Sequence, residues 1–154
     1  MSRFPGKIHR IGLRLPAVFR WFLYIIVGCS WSSGVAFFIL REFMVIEGDF
    51  GSQMHPLQFP TLMVHGLCAF LMIFGAGGML FAHVPHGWKS GKQRGWGSAI
   101  TVVVLLQVLS GYLLYYLDGD FARSASGYIH LAIGLLVPFL LLAHVRIGKS
   151  APVK

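Results

Sequence analysis

Hydrophobic positions in this chain come in long unbroken runs and show no alternation of period two. Four stretches, residues 16–40, 60–83, 96–117 and 126–145, are almost wholly apolar and are separated by short polar segments. Crossing a hydrocarbon layer of about 30 Å takes roughly 20 helical residues, and each stretch is long enough. Lipid offers no hydrogen-bond partners, so every amide must be satisfied within its own segment, and all four stretches are expected to be helices. The pattern predicts an all-α, integral membrane four-helix bundle in one domain spanning residues 1–154.

Composition agrees: 56% of the residues are hydrophobic, 14% aromatic and only 12% charged, too apolar a balance for a soluble domain of this size. The formal charge of +8 would suit a nucleic-acid partner if it formed a patch, but the charges are sorted by loop. Lys and Arg gather before the first run (Arg3, Lys7, Arg10, Arg14, Arg20), between the second and third (Lys89, Lys92, Arg94) and after the fourth (Arg146, Lys149, Lys154). The other two connections hold Arg41 and Arg123 with all five acids, Glu42, Glu47, Asp49, Asp118 and Asp120. By the positive-inside rule both termini are expected in the cytoplasm, of a bacterial inner membrane, with the lipid bilayer as partner and no nucleic acid.

The first run follows a basic leader but is too long for a signal peptide and shows no small-residue cleavage site, so it is expected to remain as a helix. Residues 1–15 alternate basic and aliphatic positions and are expected along the inner surface. Residues 41–59 form the longest connection, a candidate docking or capping surface outside. Residues 84–95, rich in Gly and basic residues, are expected to be a tight turn, with Pro85 ending the second helix and His86 in the loop. Cys29 and Cys68 are separate residues within spans and read as small core side chains. No CxxCH is present, which excludes covalent haem attachment.

Candidate chemistry lies in the histidines. Of His9, His55, His65, His83, His86, His130 and His144, four fall in spans, and all four are on the second and fourth helices. His65 and His83 are 18 residues apart, five turns at 3.6 residues per turn, so they share a face; His130 and His144 are 14 apart, within about 40° of alignment. These two helices run in the same direction through the membrane. Depth therefore sorts the four into an outer pair, His65 with His130, and an inner pair, His83 with His144. Imidazoles facing across a gap between helices can hold an iron porphyrin axially, and two such pairs predict two non-covalent b-type haems. The stripes differ in length, roughly 27 Å against 21 Å of rise, a difference that a kink at Pro138, helix tilt or oblique ligation would have to absorb for the inner site to form.

The surroundings suit a flat macrocycle. Gly66, Gly75, Gly77, Gly78, Ser110, Gly111 and Gly134 remove bulk, although close helix packing uses such residues too. Arg20, Arg94 and Arg146 at the inner site, and Arg41 and Arg123 at the outer, are candidate propionate partners. Two alternatives stay open. Intramembrane histidines can serve only to bind helix to helix, as in a non-haem subunit or assembly factor, or they can line a small metal transporter. Carboxylates for hard cations are absent from the spans, which weakens the transporter.

In the histidine pair of its fourth helix and its bundle of about four spans, the chain resembles the bacterial diheme cytochromes b that accompany formate dehydrogenases and hydrogenases. More narrowly, HG at 65–66, HVPHGW at 83–88, SGYLLYY at 110–116 and the histidines at 130 and 144 look like a family of short bacterial membrane proteins over residues 60–147. In the formate dehydrogenase subunit the partners of the fourth-helix histidines come from more than one helix; here both would come from the second. The resemblance implies electron transfer between a quinone or quinol pool and a redox protein or larger membrane complex. His9 and His86 on the cytoplasmic side, and His55, Tyr112, Tyr115 and Tyr116 outside, are the candidates for quinone or proton chemistry, because histidine titrates near neutral pH.

Overall fold

The computed structural model describes residues 15–91 and 93–150. They form α1 (Ala17–Glu42), a small hairpin of β1 (Ile46–Gly48) and β2 (Gly51–Gln53), α2 (Gln58–Ala82), α3 (Val84–Ser90), α4 (Arg94–Tyr116) and α5 (Asp120–Ser150). The chain is thus a helical bundle, and α1, α2, α4 and α5 are each long and apolar enough to cross a membrane. This is the architecture of a multi-pass membrane protein.

Three connections differ from the sequence expectation. Residues 41–59 are not wholly irregular: Ile46 pairs with Gln53 and Gly48 with Gly51 in an antiparallel ladder. The turn rests on Gly51 at φ 105°, which a side chain would strain. Residues 84–95 are not one tight turn, for α3 occupies most of them. Pro85 lies in the first turn of α3, where its missing N–H would have had no helical partner anyway. His83 keeps right-handed helical geometry between the end of α2 at Ala82 and the start of α3 at Val84, so helix resumes where the proline was expected to leave a loop, and His86 is an exposed helical residue. The third correction is the start of α5 at Asp120, where residue 126 was expected. Leu117 turns extended, Gly119 takes φ 85°, and Asp118 Oδ1 accepts the Gly119 N–H at 2.8 Å. With Asp120 favourably placed in the first turn, a polar stretch that reads as loop becomes helix.

The helices pack as two hairpins, α1 against α2 and α4 against α5, joined by a further contact of α1 with α5 and by α3. Among the described residues the buried side chains invert the pattern of a soluble core. The buried hydrophobic residues are Ile26, Leu40 and Cys68, whereas Ser30, Ser33, Gln107, Ser110 and Ser126 are buried and polar. On α2 the stripe Leu67, Phe70, Phe74 and Phe81 faces outward. Small residues bring α1 and α2 together: a Cβ on Gly75 would lie 2.7 Å from Leu23 Cδ2, and one on Gly78 3.2 Å from Phe19. Such close approach is how helices associate where burial of oil gives no advantage.

Candidate functional site

Each hairpin contributes two imidazoles that face the other hairpin. His65 on α2 and His130 on α5 have ring centres 6.1 Å apart with planes at 86°. His83, at the C-cap of α2, and His144 on α5 have ring centres 6.4 Å apart at 80°. The pairing is the one the face and depth arithmetic predicts. The unequal spacing is absorbed while α5 stays helical through Pro138.

The His65–His130 pair is held by its own hairpins. His65 Nδ1 donates to the Ser30 carbonyl at 3.0 Å, and Ser33 Oγ lies 3.3 Å from the same nitrogen. His130 Nδ1 lies 3.0 Å from Ser110 Oγ, and its Nε2 accepts from the Gln107 amide at 3.1 Å. Ser126 Oγ in turn donates to the Ser110 carbonyl at 3.3 Å. Both rings sit where a glycine leaves room, since a Cβ on Gly34 would lie 3.0 Å from His65 Cε1 and one on Gly111 3.1 Å from His130 Cε1. The two cradles repeat one sequence pattern: Ser30, Ser33, Gly34 on α1 and Gln107, Ser110, Gly111 on α4. Sequence reasoning missed the α1 cradle altogether. Its signal was the recurrence of Ser-Gly with a polar residue three positions before the serine, at matching depth on the two helices that precede the histidines.

The His83–His144 pair is held differently. Nδ1 of His83 and Nδ1 of His144 are buried without a hydrogen-bond partner. A buried polar atom left in that state costs about 1–3 kcal/mol, so both rings have unmet bonding capacity.

The residues present fit a metal held between two imidazoles. A metal–imidazole bond is about 2.0–2.1 Å and the nitrogen lies roughly 1.1 Å from its ring centre, so two axial rings have centres about 6.3 Å apart. Both observed separations lie within 0.2 Å of that value. At the first pair each Nδ1 is engaged by a carbonyl or hydroxyl, as in ligating histidines whose second nitrogen is fixed in that way, while Nε2 of His130 meets the Gln107 amide. Among the described residues no three His, Cys, Asp or Glu side chains gather as a metal-ion site. Each pair offers two imidazole donors.

The remaining candidates are scattered. Arg20 and Arg123 are exposed, at the start of α1 and in the first turns of α5. Arg94 donates to the Trp88 carbonyl at 3.0 Å and lies over the Trp88 ring at 5.3 Å, which ties α3 to α4. Arg41 pairs with Glu42 at 3.3 Å. His55 caps the approach to α2, its Nδ1 accepting the Leu57 N–H at 3.1 Å. Tyr112 and Tyr116 have ring centres 4.6 Å apart, tilted by 35°, on the exposed end of α4, with Tyr115 beside them, and none of the three is brought to a histidine pair by a recorded contact. His9 lies outside the described residues. Of the small residues expected to clear space for a macrocycle, Gly111 makes room for His130. Gly75 and Gly78 instead serve the α1–α2 packing, Gly134 accommodates Gln107, and Gly66 and Gly77 face open space. No family model, curated protein or solved structure matches the chain.

Proposed function

We propose that this protein is a diheme cytochrome b of a bacterial inner membrane, with both termini in the cytoplasm. His65 with His130 would hold one haem b near the outer surface, and His83 with His144 the other near the inner surface. The single observation that carries the reading is that two separate histidine pairs, each drawn from two hairpins, have the ring spacing of axial ligation at both ends of one bundle. When bound, haem supplies one-electron redox chemistry; the chain supplies axial ligands, burial and nearby dipoles, which tune its potential. Two such centres stacked across the bilayer support electron transfer between a quinone or quinol pool and a redox partner, in keeping with the resemblance to diheme cytochromes b.

A second reading has an observation in its favour. The bonds of His65 to Ser30 and of His130 to Ser110 tie α2 to α1 and α5 to α4, which is what histidines acting only as helix glue would do. It leaves the His83–His144 pair without a purpose, since neither buried Nδ1 is bonded to another helix. Purified protein decides between the two. A reducible b-type spectrum and a pyridine haemochrome assay giving two protohaems per chain support the cytochrome; colourless protein supports the glue.

A further inference from the structure

The two cradles around the His65–His130 pair are alike except at one position. On α1, Ser30 offers its backbone carbonyl to His65, and both recorded bonds of that ring use Nδ1. On α4 the matching position is Gln107, and its side chain reaches past Nδ1 to His130 Nε2 at 3.1 Å. Gln107 is buried, and its Oε1 has no partner. Space for the amide comes from α5 itself: a Cβ on Gly134, one turn beyond His130, would lie 2.9 Å from Gln107 Nε2. Either orientation of the amide leaves it on the ring nitrogen that faces away from Ser110. A buried Gln with half its amide unsatisfied is a poor choice for stability alone, and its one bond falls on the atom a metal would take.

We infer that Gln107 is a positioning residue that competes with the metal for His130 Nε2 and so weakens haem retention at the outer site relative to the inner one. This rests on the haem reading above. Gln107 and Ser110 engage both ring nitrogens of His130, so an iron that takes Nε2 has to displace the amide. Among the described residues no side chain is recorded at hydrogen-bond distance from either inner ring in the way that Gln107 reaches His130 Nε2. The asymmetry makes the outer haem the exchangeable one of the two.

The test is haem loss from full-length wild type, Gln107→Leu and Gln107→Ser, followed optically after adding an excess of a haem-scavenging apoprotein. Leu keeps the volume and removes the competing donor; Ser makes the α4 cradle match the α1 cradle. Loss from wild type is expected in two phases, the faster assigned to the outer site by its absence in His65→Ala. Removing one competing hydrogen bond should slow that phase about 2- to 10-fold in both variants and leave the slower phase unchanged. The retained inner haem reports that a variant has folded, and Gln107→Met replaces any that has not. A merely structural Gln107 has the opposite sign: faster outer loss, or an unchanged rate, overturns the inference while leaving the cytochrome reading intact. Wild type lacking haem overturns both.

Discussion

His83 and His144 face each other with ring centres 6.4 Å apart, and neither has a partner for its Nδ1. Two buried nitrogens without hydrogen bonds are a cost, whereas the His65–His130 pair is engaged by Ser30, Ser33, Gln107 and Ser110. The contrast leads to the first prediction. In haem-free protein, replacing both inner rings (His83→Leu with His144→Leu) should leave thermal stability in detergent unchanged or raised. His65→Leu, which removes the ring's contacts with the Ser30 carbonyl and Ser33 Oγ, should lower it by about 1 kcal/mol. Melting followed by circular dichroism measures both.

Single-ligand variants should separate the two sites in haem-loaded protein. His65→Ala or His130→Ala should halve the haem content by removing the outer haem, and His83→Ala or His144→Ala should remove the inner one. Haem-to-protein ratios with reduced-minus-oxidised spectra check this, and variants in which a predicted pair does not behave as a pair would reject the pairing.

Glycine cradles give a finer prediction. Gly34→Ala places a methyl 3.0 Å from His65 Cε1 and Gly111→Ala one 3.1 Å from His130 Cε1. Each should tilt its ring and reduce outer-site occupancy while sparing the inner haem. Gly66→Ala, where a Cβ meets nothing within 4 Å, is the matched control.

The hydroxyls that touch the rings should be unequal. Ser110 Oγ lies 3.0 Å from His130 Nδ1, whereas Ser33 Oγ lies farther from His65 Nδ1, at 3.3 Å, beside the Ser30 carbonyl that this nitrogen reaches at 3.0 Å. Partners of this kind change metal affinity by about 10- to 100-fold. Ser110→Ala should weaken haem binding over that range, and Ser33→Ala by less, as read in equilibrium haem titrations of reconstituted protein.

Orientation is open to labelling. In a background lacking Cys29 and Cys68, a cysteine at Ser52 in the hairpin should react with a membrane-impermeant thiol reagent on intact cells. One at Lys89 in α3 should react only after lysis. The reverse pattern would invert the topology.

How far the sequence reached depends on what kind of signal each feature leaves. The long helices and the histidine pairing were legible because apolar run length and the 3.6-residue period are properties of single segments. What eluded it depends on a few residues at junctions. Pro85 was read as a stop, yet in a first turn a proline is well placed, and α3 follows. The start of α5 hinges on Gly119 and the Asp118 side chain, a local turn that polar composition does not distinguish from a longer loop. The β hairpin has only three residues per strand, below the length at which period two can be recognised. The Ser30–Gly34 cradle was missed because α1 carries no histidine to draw attention to it, and its role exists only once α2 lies against it.

Both pairs depend on α5 for their second ring. While α1 and α2 alone are in the membrane, His65 and His83 have no counterparts, and α4 adds none. On the haem reading proposed above, neither site could be completed until α5 has been threaded and folded back, and both would then become available together. A ribosome stalled before that helix would present two half-built sites at once.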